Sequence, residues 1–144
     1  MEPTPEIQLI VATVRASNAL LRASRRLFKP YGLTEVQFNI LHVLQDAKHE
    51  LTQRELSDIL VVDRSNVTGL IDRMEAMGWV ERQPSPGDRR AYRIRLTTAG
   101  RKLWQLAHPA YEAAASEVLV GLTSAQIKAA TRSLEAIDSG SAKI

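Results

Sequence analysis

The sequence contains no cysteine. Disulfides, thiolate zinc sites and thiol-based redox sensing are therefore excluded. It also lacks any run of about 18 apolar residues, the length a membrane-spanning helix needs. Its first residues, Met1-Glu2-Pro3-Thr4-Pro5-Glu6, are acidic and lack the apolar core of a signal peptide. A cytoplasmic protein is the expectation. Histidine is scarce. His42, His49 and His108 are scattered, with no partner at metal-ligand spacing, and no metal or cofactor is expected. A nucleophile–base pair and a phosphate-cradling glycine loop are likewise missing, which argues against an enzyme.

What remains is a chain of 144 residues, enough for one domain, or for one domain with a dimerisation extension. The net charge of +3 is too mild to decide anything, but its distribution is uneven. Between Glu81 and Lys102 stand Arg82, Arg89, Arg90, Arg93, Arg95, Arg101 and Lys102, opposed only by Glu81 and Asp88. A second basic cluster, Arg22, Arg25, Arg26 and Lys29, closes the first helical segment. Local stripes of this kind are the electrostatic footprint of a nucleic-acid binder.

Helical periodicity runs from about Pro5 to Lys29, with Ile7, Ile10, Val14, Leu21 and Phe28 near one stripe. One local grammar then occurs three times: Leu33-Thr34-x-x-Gln37-Phe38, Leu51-Thr52-x-x-Glu55-Leu56 and Leu122-Thr123-x-x-Gln126-Ile127. A threonine N-cap, a Glu or Gln three residues on and flanking apolar residues make a capping box with a hydrophobic staple. Helices are predicted to start at Thr34, Thr52 and Thr123. Val61-Val62 reads as a tight link, and Asp63 as the cap of a helix running to Met77. Gly78 stands where a left-handed C-terminal cap is wanted.

Beyond Gly78 the period becomes two. Trp79–Gln83 predicts a strand, Pro84-Ser85-Pro86-Gly87-Asp88 a turn, and Ala91–Leu96 a second strand. Tyr92, Ile94 and Leu96 fall on one face, which should be buried, and Arg93 and Arg95 on the other. A long helical pattern resumes at Thr97, with Pro109 expected to kink it. A last helix presents Ile127, Ala130, Leu134 and Ile137, and Ser139-Gly140-Ser141 reads as a frayed tail.

The order of elements predicts a mainly α fold with a small β wing: a winged helix-turn-helix core flanked by terminal helices. The helix after Asp63 opens with Arg64-Ser65-Asn66-Val67-Thr68, side chains of a size to reach base edges in a major groove. An arginine at the hairpin tip can enter a narrow minor groove. Asp88 is unexpected beside phosphate, and pairing with the Arg90 guanidinium would account for it. Taken singly, each feature has a plainer reading. Ser65, Asn66 and Thr68 could be ordinary first-turn polar residues. The arginines could be a solvated strand face, and Asp88–Arg90 only a turn salt bridge. Trp79, Trp104 and Tyr111 suit a core or an interface, and His42 a packed or hydrogen-bonded position. Order and spacing together favour the DNA reader. A winged-helix module that binds protein instead of DNA stays open.

Val62-Asp63-Arg64-Ser65-Asn66-Val67-Thr68-Gly69-Leu70-Ile71-Asp72-Arg73-Met74-Glu75-Ala76-Met77-Gly78-Trp79-Val80-Glu81-Arg82 resembles the recognition helix and first wing strand of the MarR (multiple antibiotic resistance regulator) family. Asp88-Arg89-Arg90-Ala91-Tyr92-Arg93-Ile94-Arg95-Leu96-Thr97 is similar to that family's wing signature. The resemblance implies a transcriptional regulator, chiefly a repressor, acting as a homodimer on double-stranded DNA at a pseudo-palindromic operator. It implies one domain over 1–144, with dimerisation helices in 1–33 and 104–144 and the DNA-binding core in 34–103. Ser65, Asn66 and Thr68 would face bases or nearby phosphates, with Arg64 and Arg73 near the backbone. Asp88 and Arg90 would be the wing pair, with Arg89 beside them. Gly69 stands where many members carry a longer, often basic, side chain. The resemblance also admits a small aromatic or phenolic acid effector. Its candidate lining is Ser17, Arg22, Phe38, His42 and Trp104.

Overall fold

The computed structural model describes residues 2–60 and 64–141, with the backbone alone at 64 and 65. The elements are α1 (Pro5–Phe28), a 3-10 turn (Lys29–Tyr31), α2 (Glu35–Asp46), β1 (Leu51–Thr52), α3 (Gln53–Leu60), α4 (Arg64–Ala76), β2 (Val80–Ser85), β3 (Asp88–Leu96), α5 (Thr98–Val118) and α6 (Ser124–Ser141). The Val61-Val62 link and the Asp63 cap lie outside the described residues.

The three threonines start helices for the reason their chemistry gives. Thr34 Oγ1 accepts from the Gln37 backbone N–H at 3.2 Å, and Gln37 Oε1 accepts from that of Thr34 at 2.9 Å. The same reciprocal pair joins Thr52 to Glu55 at 2.7 and 3.2 Å, and Thr123 to Gln126 at 2.9 and 3.2 Å. Each box satisfies two N–H groups that a helix start would otherwise leave bare.

The chain divides into two compact units, Met1–His108 and Pro109–Ile144. In the first, Phe28, Phe38, Ile40, Leu41, Leu56, Val67, Ile71, Met74, Val80 and Ile94 are completely or almost completely enclosed. Val67, Ile71 and Met74 recur at i, i+4 and i+7, so α4 turns one face to this core and leaves the other to solvent. Gly78 takes a left-handed φ of 75°. Its N–H donates to Glu75 O, and that of Trp79 to Met74 O, each at 2.9 Å. This is a Schellman stop, which turns the chain from α4 into the wing.

The sheet has the order β1-β3-β2, all antiparallel. The two-residue strand β1 pairs Leu51 with Ile94 and Thr52 with Arg93. The sequence gives no sign of it, because Thr52 also serves as a helix cap. The hairpin is tighter than its composition predicts. Strands run through Pro84, Ser85 and Asp88, leaving Pro86-Gly87 as the turn, with Gly87 at φ 83°. Pro84 is tolerated because β2 is an edge strand. Burial follows the predicted alternation at Ile94 and Leu96, but Tyr92 is 46% exposed. Tyr92 pairs with Pro84 near the tip, next to the register shift, where the alternation no longer meets a core.

The second unit carries α6 and the end of α5, which crosses the boundary with Pro109 inside it. Val118, Val120, Leu122, Leu134 and Ile137 are all exposed. The expected frayed tail is instead helical to Ser141. Ser139 Oγ donates to Glu135 O at 3.0 Å and Ser141 Oγ to Asp138 O at 2.8 Å, satisfying carbonyls near the helix end. Among the described residues, no helix is long and apolar enough to cross a membrane.

Candidate nucleic-acid interface

The solvent face of α4 carries Asn66, Thr68 and Arg73, all exposed. The side chains of Arg64 and Ser65 lie outside the described residues. Thr68 Oγ1 accepts from Gln53 Nε2 at 2.5 Å, which ties the recognition-type helix to the start of α3. Gln53 was not singled out from sequence. Its position directly after the Thr52 cap was the available signal. Arg73 reaches back over Gly69, its Nη1 3.7 Å from where a Cβ at Gly69 would stand. A cation thus occupies the surface that a longer side chain at 69 would have covered.

At the wing tip the pairing slips. Pro84 pairs with Tyr92, but Ser85 pairs with Asp88, so Arg89, Arg90 and Ala91 form a bulge. Arg89 and Arg90 are therefore thrust outward rather than alternating with the strand, and both are exposed. Asp88 Oδ1 accepts from the Arg90 backbone N–H at 2.9 Å. The sequence suggested that Asp88 pairs with the Arg90 guanidinium. The structure corrects this: the carboxylate braces the bulged backbone, a short Asx-type bond that a side chain two residues back reaches easily. Arg90 shares a cleft of about 410 Å³ with Thr52, Gln53, Arg54, Ala91 and Tyr92. That cleft adds Arg54, another cation missed from sequence, to the wing's neighbourhood.

The basic face is thinner than a residue count implies. Arg82 lies 2.6 Å from Asp72 and 2.8 Å from Glu75. Arg95 bonds Glu81 and lies 3.9 Å from Glu50. Arg93 donates to Ser85 Oγ at 3.2 Å, and Arg101 to Gln45 Oε1 at 3.4 Å. The acids that neutralise Arg82 come from α4, outside the basic stretch, where a linear count could not see them. Arg89 and Arg90 at the tip and Arg101 and Lys102 on α5 are exposed, as are Arg54 on α3 and Arg73 on α4.

The candidate effector residues lie in different surroundings. Ser17 and Arg22 are exposed on α1, while Phe38 is fully enclosed and stacks on Phe28 with ring centroids 4.2 Å apart. His42 and Trp104 do meet: Trp104 Nε1 donates to His42 Nδ1 at 3.2 Å, and the Trp104 ring stacks on His108 at 4.3 Å. His42 also lines a cleft of about 350 Å³ with Val43, Asp46, His49 and Ile59.

A family model described as "MarR family" matches residues 31–91, the stretch from the start of the core to the wing bulge. PecS, an HTH-type transcriptional regulator of Dickeya dadantii, is 34% identical over 98 residues, covering 66% of this chain and 59% of PecS. The transcriptional repressor MprA of Escherichia coli is 33% identical over 99 residues, covering 68% of this chain and 56% of MprA. The chain belongs to the MarR family. A variant of E. coli MarR solved with operator DNA superposes with a TM-score of 0.80 at 27% identity, covering 95% of this chain and 99% of that one. The match to the MarR-family curated relatives spans 56–59% of their length. The relatives and neighbours are named as regulators, and none of those cited is named as an enzyme.

Proposed function

We propose that this MarR-family chain is a sequence-specific duplex-DNA-binding regulator, a repressor that grips a pseudo-palindromic operator as a homodimer. One observation carries the reading. The exposed face of α4, with Asn66 and Thr68, stands in one bonded assembly with a wing whose bulge projects Arg89 and Arg90. A reader of this type needs polar side chains for base edges and cations for phosphate. The repressor sense follows the printed role of MprA. The likeness to MarR solved with operator DNA supports the duplex as the ligand.

The roles follow from placement. Asn66, with Ser65 and Thr68, reads the major groove. Arg64 and Arg73 meet the sugar-phosphate backbone, and Arg89 and Arg90 position the wing, whose backbone Asp88 braces. The dimer is supported by α1, where Ile7, Ile10, Val11 and Val14 share one helix face and are exposed on a single chain. A contiguous apolar face of that size is rarely left to water. A two-fold axis would set the recognition helices about one helical turn apart. An effector, if bound as a small aromatic acid, would meet the half-buried His42–Trp104 pair. Calorimetry with a panel of such acids in the presence of operator tests that part, and no change in operator affinity would remove it.

Duplex affinity measured across a salt series tests the central reading. A protein that neutralises phosphates shows log K falling linearly with log salt. Arg90→Ala is expected to weaken binding to all sequences and to lower that slope by about 1 per protomer. Asn66→Ala is expected to relax preference at one base position, with discrimination reduced by about 1–3 kcal/mol. If neither variant alters binding, the site assignment is wrong. If the parent shows no salt-dependent duplex binding, the protein-binding winged-helix module takes its place.

A further inference from the structure

Arg82 belongs to the wing strand β2, yet its bonds run to the helices. Its Nη1 donates to Glu75 Oε2 at 2.8 Å, and its Nη2 lies 2.6 Å from Asp72 Oδ1. Its backbone N–H donates to the other Glu75 oxygen at 2.9 Å. Longer approaches of 3.5 Å reach Gln53 Oε1 on α3 and the Thr68 carbonyl on α4. Asp72 and Glu75 are three residues apart, hence on one face of α4. The Arg82 side chain is only 17% exposed. One cation between two carboxylates leaves no surplus positive charge to attract phosphate.

The three elements joined in this way each present a group to the proposed DNA face: α4 through Asn66 and Thr68, α3 through Gln53, and the wing through Arg90. We propose that Arg82 is a positioning residue, fixing the angle between recognition helix and wing so that base contacts and phosphate contacts are made in one register. The inference rests on the DNA-binding reading above. Its physical basis is tolerance. Hydrogen bonds to base edges survive displacements of only about 0.5 Å or 10–20°. Phosphate contacts made by long cationic side chains are far more forgiving. Without the Arg82 bridge, wing and helix remain joined through the Gly78 turn but can meet the duplex independently. Sequence discrimination then falls while general affinity persists.

The test measures full-length parent, Arg82→Met, Arg82→Lys and Glu75→Gln against a selected operator and against random duplex, over a range of salt. Arg82→Met is expected to lower the ratio of specific to non-specific affinity about tenfold, comparable with one mismatched base pair. Non-specific affinity should fall far less than specific affinity, because two carboxylates lose their cation, and its salt slope should stay as in the parent. Arg82→Lys keeps the charge but not the fork, and should recover part of the ratio. Glu75→Gln keeps Arg82, removes a negative charge and carries the test if Arg82→Met does not fold. Electrostatics alone would make Glu75→Gln bind all DNA more tightly with its ratio intact, whereas the positioning role predicts a lower ratio. An unchanged ratio in folded variants overturns the inference, as does a salt slope lowered by about 1 per protomer in Arg82→Met, which would make Arg82 a phosphate contact. A parent that discriminates no sequence overturns the DNA reading itself, and the inference falls with it.

Discussion

Gly100 and Gly69 both sit inside helices, and their surroundings ask opposite things of them. A Cβ at Gly100 would lie 1.9 Å from the Trp79 carbonyl oxygen. That oxygen already accepts from the Thr97 N–H at 3.1 Å, and Thr97 Oγ1 in turn accepts from the Gly100 N–H at 3.0 Å. The start of α5 is thus seated on the backbone that leaves α4. Gly100→Ala should force the two apart and destabilise the fold by about 1–3 kcal/mol or more, read as a lower urea midpoint. At Gly69 the nearest atom to a Cβ is the Arg73 guanidinium at an ordinary 3.7 Å. Gly69→Ala should therefore stabilise, by about 0.5–1 kcal/mol, from helix propensity alone. Glu55 supplies a prediction in pH. Bonds from the Thr52 backbone N–H, then from its hydroxyl, hold the Glu55 carboxyl below its usual range. A group lowered on folding stabilises above its unfolded value, and that contribution is lost as pH falls through the folded one. The gap in denaturation midpoint between parent and Glu55→Ala should be open at neutral pH and close in acid. A gap independent of pH would contradict the cap.

Among the elements, the helices were legible in the sequence and the tip of the wing was not. Helix starts announce themselves because a capping box is local: four residues contain both partners. The Gly78 stop is local for the same reason. The wing tip depends on pairing. A strand reading by composition assigns Pro84 and Asp88 to the turn, because both residues favour turns in isolation. The ladder with β3 and the free outer side of an edge strand decide otherwise. The bulge at Arg89–Ala91 arises from that pairing, and it changes what Asp88 does. Since its carboxylate accepts from a backbone amide, Asp88→Asn should keep the tip in place, while Asp88→Ala should loosen it. Operator affinity close to the parent for Asn and reduced for Ala is the expected outcome. Equal loss in both would restore an ion pair with the guanidinium as the relevant contact. The pairing of Arg82 was invisible for a similar reason, as its acidic partners Asp72 and Glu75 lie outside the basic stretch.

At the scale of the whole molecule, the apolar face of α1 is exposed among the described residues of its own unit. Ile10 is 55% exposed, so Ile10→Asp should cost the single chain little. If two copies join there, the same change should convert a dimer to a monomer in sedimentation and abolish tight operator binding while leaving helix content intact. The composition alone excluded disulfides and pointed to DNA only weakly. The spacing of helix, Schellman turn and arginine-tipped hairpin pointed to it strongly, and the fold shows those parts bonded into one assembly. Selection of bound sites from random duplex DNA tests this account most directly. It should recover a pseudo-palindrome whose half-sites lie about 10–10.5 base pairs apart, centre to centre, as two recognition helices related by a two-fold axis require. Recovery of no enriched sequence, or of a single half-site without its mate, would contradict it.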